Sequence, residues 1–162
     1  MQKNLLIMSE MPQYFINLAD KNFNTHKLWL QNDEDKFISE IQEKVDAIAV
    51  MGGYKITPEL MKSMTNLKII ACYGVGYDAI DIAYAKSLGI KVTNTPEVLN
   101  DEVADTAIAL MLCVYRKILE ADKFARNNSW INGEFPLTKK FSGSKLGIVG
   151  MGRIGKAIAK RA

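Results

Sequence analysis

"LKIIACYGVGYDAIDIAYAKSLGIKVTN" (Leu67–Asn94) decides the fold. A nearly continuous apolar run, Leu67–Tyr73, ends on Gly74-Val75-Gly76. A helical pattern over about Asp78–Leu88 follows, closed by Gly89 just past its end, where glycine best accepts a left-handed conformation. A second β-type run, Ile90–Asn94, completes the unit. Two strands joined through a helix run parallel, and strands this apolar are buried on both faces.

The same texture extends toward the N-terminus. Asn4–Met8, His26–Leu30 and Asp46–Met51 read as three further strands. Between them, Glu34–Lys44 carries Phe37, Ile38 and Ile41 on one face, with Asp33 placed to cap it. Another helix starts at Pro58, with Thr57 as its N-cap and proline at the first helical position. Strands alternating with helices predict a small doubly wound α/β domain over residues 1–96.

Beyond Pro96 the pattern changes. Asp101–Arg126 predicts one long helix, about 39 Å at ~1.5 Å per residue. Val103, Ala107, Leu110, Val114, Ile118 and Ala121 make one apolar stripe. Ala104, Ile108, Met111, Tyr115 and Leu119 make its neighbour. So wide an apolar arc predicts burial between layers or domains. Residues 127–144 form a polar connection punctuated by Gly and Pro, carrying Trp130 and Phe135; at that length an arm or functional loop is expected. Lys145–Val149 reads as a strand and Gly152–Ala162 as the start of a helix. That strand would have two open edges and two apolar faces. It is therefore expected to be covered by another copy, by a companion chain or by its own domain.

Composition excludes several classes. The 162 residues carry a net charge of +3, one histidine and two cysteines. Cys72 and Cys113 lie in apolar contexts, which predicts reduced core thiols in a cytoplasmic protein. With His26 far from both, no zinc-site spacing exists, and no metal is expected. No apolar run approaches the ~20 residues needed to span a bilayer, and the N-terminus lacks a signal-peptide core. After Glu134 every charge is positive, from Lys139 to Arg161. No aromatic interleaving or basic helical stripe accompanies it, so nucleic acid is not the expected partner.

Two glycine-rich stretches carry chemistry. In "GIVGMGRIGKAIA" a β-type run leads into Gly150-x-Gly152-x-x-Gly155 and then a helix, the context required for a dinucleotide site. Gly150 permits the tight turn, Gly152 admits a pyrophosphate close to the backbone, and Gly155 allows close helix packing. The helix N-terminus offers free amides to the phosphates, with Arg153 beside them. Gly74-Val75-Gly76 sits at the carboxyl end of a strand, where its amides could hold an anion such as a carboxylate. On spacing alone, a plain strand–helix turn is the favoured reading. "MGGY" (Met51–Tyr54) is a second such exit. Asp78, Asp81, Asp101, Glu102 and Asp105 are the candidate acid–base carboxylates, but all sit at expected helix starts, where the macrodipole already favours them. His26, on an early strand without a nearby carboxylate pattern, reads as structural.

Together these stretches resemble the D-isomer-specific 2-hydroxyacid dehydrogenases, specifically the glyoxylate/hydroxypyruvate and hydroxyphenylpyruvate reductase branch. The resemblance is carried by "NLKIIACYGVGYDAIDIAYAKSLGIKVTNTPEVLNDEVADTAIALML" (Asn66–Leu112) and "FSGSKLGIVGMGRIGKAIAKRA" (Phe141–Ala162). It implies an α/β protein: a flavodoxin-like doubly wound parallel-sheet substrate domain (1–96), a linker helix and dimerisation arm (97–144), and the first β-α of a truncated Rossmann domain (145–162). It also implies that a nicotinamide cofactor, NADP or NAD, delivers hydride to a small 2-keto acid. Val75 and Gly76 would hold the substrate carboxylate, with Met51, Gly52 and Gly53 lining the same pocket. Gly150, Met151, Gly152, Arg153, Ile154 and Gly155 would receive the cofactor pyrophosphate. The 101–126 helix and the 127–144 arm would build a homodimer. The family's arginine clamp, acid–base histidine and the carboxylate that sets its charge have no counterpart here, so no catalytic residue is assigned. The chain is expected to be part of a longer enzyme and inactive alone. The alternative is a non-catalytic NAD-linked interaction module of the corepressor type.

Overall fold

A computed structural model describes residues 2–162. The chain divides into two compact units, one ending at Pro96 and the other beginning at Glu97.

The first unit is built on five parallel strands: β1 (Asn4–Ile7), β2 (Asn24–Lys27), β3 (Ala47–Met51), β4 (Ile69–Tyr73) and β5 (Lys91–Thr93). Their order is β2-β1-β3-β4-β5. The order reverses at β1, which places the switch point between β1 and β3; open α/β sheets bind ligands outside the carboxyl ends of the strands there. Four helices join the strands: α1 (Gln13–Asn22), α2 (Glu34–Ile41), α3 (Pro58–Ser63) and α4 (Ile82–Ser87). Strand alternation sorts the side chains. Leu6, Met8, Ile48, Val50, Ile70 and Cys72 share the larger core with Ile41, Met61 and Ala85. Leu5, Ile7 and Ala49 face the other way and pack with Met11, Ile16 and Ala19. The central strands are thus apolar on both faces, as parallel strands under helices require.

The local start signals operate as read. Asp33 accepts the Lys36 amide at the start of α2, and Thr57 accepts the Leu60 amide at the start of α3. Gly89 takes a φ of 74° after α4. Three readings in this unit are corrected. The strand expected at His26–Leu30 is Asn24–Lys27 instead, because its ladder with β1 ends at the Ile7–Lys27 pair. Leu28 then turns into the core within a single 3₁₀ turn, Leu28–Leu30. The helix expected from Asp78 begins at Ile82, capped by Asp81 through the Tyr84 amide, while residues 77–80 form a turn. Helix α1 carries no local start signal in the sequence, opening after Pro12 with no side-chain cap.

The second unit holds α5 (Asn100–Arg116), α6 (Ile118–Arg126) and α7 (Arg153–Arg161). The expected continuous 101–126 helix is two helices. Lys117 adopts the left-handed conformation, φ 49° and ψ 46°, and ends one helix while opening the next. A non-glycine residue pays a steric cost there. Lys117→Gly is therefore expected to stabilise this unit by about 0.5–1 kcal/mol after glycine's own entropy loss. A thermal melt reads it; an unchanged or lower midpoint would count against strain at this position. The expected burial of the long apolar face is also corrected. Ala104 is buried, but Leu110, Val114 and Leu119 are 62%, 75% and 74% exposed. Lys145–Val149 forms no strand, since a ladder needs a neighbour and the described residues supply none to it. Leu146 and Val149 are exposed and Ile148 is half-buried, so the chain's own residues do not provide the full cover expected for this segment.

Candidate functional site

The first candidate site lies at the carboxyl ends of β3 and β4. The two glycine-rich exits touch backbone to backbone: a Cβ on Gly74 would sit 3.0 Å from the Gly52 Cα and 3.2 Å from its nitrogen. The Gly52 amide donates to the Tyr73 carbonyl at 3.1 Å, which ties the Met51–Gly53 loop to β4. That bond uses the Gly52 amide, so Gly52 supports the site rather than offering a donor to it.

Hydrogen bonding in Gly74-Val75-Gly76 is one-sided. All three carbonyls are occupied: Gly74 O accepts the Thr95 amide at 2.9 Å, Val75 O accepts Asn94 Nδ2 at 2.8 Å, and Gly76 O accepts the Cys72 thiol at 3.4 Å. The amides of Val75 and Gly76 donate to no other backbone carbonyl among the described residues. Engaged carbonyls and successive amides left free are the arrangement an anion-binding nest requires. Asn94, Thr95 and Cys72 hold the loop in that state, and sequence reading assigned them no such part. Burial pushes the Cys72 thiol up from its ordinary range, which keeps it a neutral donor to Gly76. A cavity of about 630 Å³ opens beside these exits, lined by Gly53, Lys55, Asp78 and Asp81 among others. Two further features of this sheet end escaped the sequence reading. Ser9, just beyond β1 at the switch point, has a buried hydroxyl without a partner among the described residues. The hydroxyls of Tyr14 and Tyr73 are hydrogen-bonded to each other, with Phe15 edge-on to the Tyr73 ring. That bond, then burial, raises the Tyr14 phenol above its ordinary value. The available signal was position alone: Ser9 follows β1 and Tyr73 ends β4.

The second candidate site opens α7. Gly150 has a φ of 94°, the left-handed turn that glycine permits. Gly152 precedes the helix with open space where a Cβ would stand. Gly155 is the buried residue of α7 and packs onto the Gly150 carbonyl. No side chain caps the helix, and its first turn holds no carboxylate. A diphosphate fits there: uncapped amides, backbone open at Gly152, and Arg153 at the first helical position. Arg153 itself pairs through Nε with Glu97 at 3.0 Å. The far end of α7 is anchored by Arg161, which reaches Asp101 at 3.0 Å and also Asp105 on α5.

Three of the five candidate acids have structural employment. Asp81 caps α4, and Asp101 and Asp105 hold Arg161. His26 lies on β2, 3.1 Å from Asn4 Oδ1 and beside the Phe37 ring. Burial, then the Lys44 charge, lowers its pKa below the usual 6.5. The unfolded chain therefore takes up the His26 proton first, and this residue's stabilising contribution, intact above about pH 6.5, is lost as pH falls through the lower folded value. His26→Gln is expected to flatten the change in melting temperature between about pH 7 and pH 5; an unchanged slope would assign it to other groups. Among the described residues no cluster of three or more metal-ligating side chains occurs, and no helix is long and apolar enough to cross a membrane.

Residues 5–155 match the family model of the D-isomer specific 2-hydroxyacid dehydrogenase catalytic domain. The chain is 40% identical over 158 residues to a glyoxylate/hydroxypyruvate reductase A of Arabidopsis thaliana, covering 98% of this chain and 50% of that protein. It superposes on a 2-hydroxyacid dehydrogenase of Ketogulonicigenium vulgare Y25 with a TM-score of 0.94 at 36% identity, over 99% of this chain and 51% of that one. An NADPH-dependent glyoxylate/hydroxypyruvate reductase of Sinorhizobium meliloti, solved in complex with NADP and malonate, aligns with a TM-score of 0.85 at 36% identity, over 99% and 50%. The chain spans about half the length of the relatives it matches.

Proposed function

The chain belongs to the D-isomer specific 2-hydroxyacid dehydrogenase family, and from that premise we propose that it forms the N-terminal part of an NAD(P)-dependent reductase of small 2-keto acids, such as glyoxylate or hydroxypyruvate. The observation that carries the reading is the one-sided hydrogen bonding of Gly74-Val75-Gly76. The free amides of Val75 and Gly76 hold the substrate carboxylate, and Met51 and Gly53 line the same pocket, with Gly52 fastening their loop. Gly150, Met151, Gly152, Arg153, Ile154 and Gly155 receive the pyrophosphate at the start of α7. A bound nicotinamide supplies hydride to the keto carbon. This chain's residues bind and orient, and its one histidine is engaged on β2 beside Asn4. The guanidinium clamp and acid–base pair that the family resemblance implies have no counterpart at the two candidate sites. NADP and NAD fit these residues equally well. The Sinorhizobium meliloti relative, NADPH-dependent and solved with NADP and malonate, supports a nicotinamide cofactor.

The exposed apolar face of α5 and α6 is the surface we assign to a second copy, together with the 127–144 arm, because a patch of this kind is rarely left in water. Two free thiols suit a reducing, cytoplasmic setting. Calorimetric titration of NADPH and NADH into the chain, followed by a cofactor-oxidation assay with glyoxylate and hydroxypyruvate, tests the reading. Binding without turnover by the chain alone supports it. Turnover by the chain alone would overturn the division of labour, and no binding of either cofactor would overturn the dinucleotide site.

A further inference from the structure

We propose that Glu97 is a built-in competitor for the dinucleotide: its carboxylate occupies Arg153 until the cofactor's diphosphate displaces it, so Glu97 sets how tightly the cofactor binds. The inference rests on the dinucleotide reading of the α7 site.

Three observations converge on this residue. The Arg153 guanidinium, at the first position of α7, is held by Glu97 at 3.0 Å. The first turn of α7 contains no acidic residue and Gly152 offers no side-chain cap, although helix N-termini favour negative charge. Glu97 is thus the carboxylate that the fold delivers to this positive end from a distant part of the sequence. Finally, Glu97 itself stands at φ 72°, a left-handed conformation that costs a glutamate steric energy. A glycine would accept that backbone freely but carry no charge.

The pair is of the kind that can exchange. Both side chains are more than half exposed, at 62% and 66%, and exposed ion pairs are weak. A diphosphate brings more charge to Arg153 than one carboxylate and adds hydrogen bonds to the free amides of the turn. Its binding must still break the Arg153–Glu97 ion pair and place phosphate near a displaced carboxylate. Glu97 therefore raises the cofactor's Kd without contacting the nicotinamide or the substrate.

The test is a double-mutant cycle read by calorimetric titration of NADPH into the intact protein. Glu97→Gln keeps the size and backbone but removes the charge, and is expected to lower the Kd about three- to fivefold. Arg153→Ala is expected to weaken binding, and adding Glu97→Gln to it should restore nothing. Far-ultraviolet circular dichroism confirms that helix content is unchanged in each variant. An unchanged Kd for Glu97→Gln while the wild type binds normally overturns the competitor and leaves the dinucleotide site standing. An equal gain in the Arg153→Ala background also overturns it, because Glu97 would then repel the ligand without acting through Arg153. Absence of NADPH binding in the wild type and all variants overturns the dinucleotide reading and the competitor with it.

Discussion

Gly155→Ala is expected to raise the Kd for NADPH by about 100-fold or more, equivalent to about 2.7 kcal/mol. The reason is geometric. The new Cβ would intrude on the Gly150 carbonyl oxygen and lie 3.2 Å from its carbon. Both atoms are backbone, so no flexible side chain can yield. Either α7 shifts away from the turn or Gly150 leaves its φ of 94°, and each movement dismantles the alignment of amides that a diphosphate needs. The fold itself should survive, because Arg161 still ties the far end of α7 to Asp101 and Asp105. Titration of NADPH, with circular dichroism as a control for helix content, reads the effect. A Kd within threefold of wild type would show that the turn and helix do not need this close approach.

Gly74→Val is expected to abolish carboxylate binding at the other site and to cost about 2–3 kcal/mol of stability. Gly74 does not require a left-handed conformation, so valine is excluded by space rather than by backbone angle. Its Cβ would begin 3.0 Å from the Gly52 Cα, and two further methyl-bearing branches would press on the same loop. The strand exits must separate, breaking the Gly52–Tyr73 bond and turning the Val75 and Gly76 amides out of register. A chemical-denaturation midpoint reads the stability, and titration with oxamate, an unreactive carboxylate analogue of a 2-keto acid, reads the site. Wild-type binding of oxamate by this variant would remove Val75 and Gly76 from the carboxylate site.

The parts of the molecule legible in the sequence are those written locally. Asp33, Thr57 and Gly89 act on amides or angles within a few residues, and each stands where the reading put it. The strand cores were legible because burial on both faces leaves unbroken apolar runs. Helix α1 was missed because its N-terminus carries Pro12 without a hydrogen-bonding cap, and Ile16 and Ala19 are too few to mark a stripe. The break at Lys117 was illegible because a lysine in a left-handed turn leaves no compositional trace. The stretch Lys145–Val149 has the composition of a strand, but a ladder is a property of two segments and only one is present among these residues. The candidate sites divide in the same way. Their glycines were visible as spacing, whereas Asn94 supports Val75 from 19 residues away, and Glu97 meets Arg153 only once the second unit has folded.

The inward-turned carbonyls at Gly74, Val75 and Gly76 have a consequence for discrimination. The loop presents donors and almost no acceptors, so it can recognise only a partner that accepts. A keto acid offers two anionic oxygens. Its primary amide has the same shape but offers one oxygen and an NH₂ group whose hydrogens would meet other hydrogens. A donor left unpaired in that way forfeits about 1–3 kcal/mol. If this loop holds the substrate carboxylate as proposed, selection between acid and amide needs no charged side chain in it, only the direction in which the peptide units face.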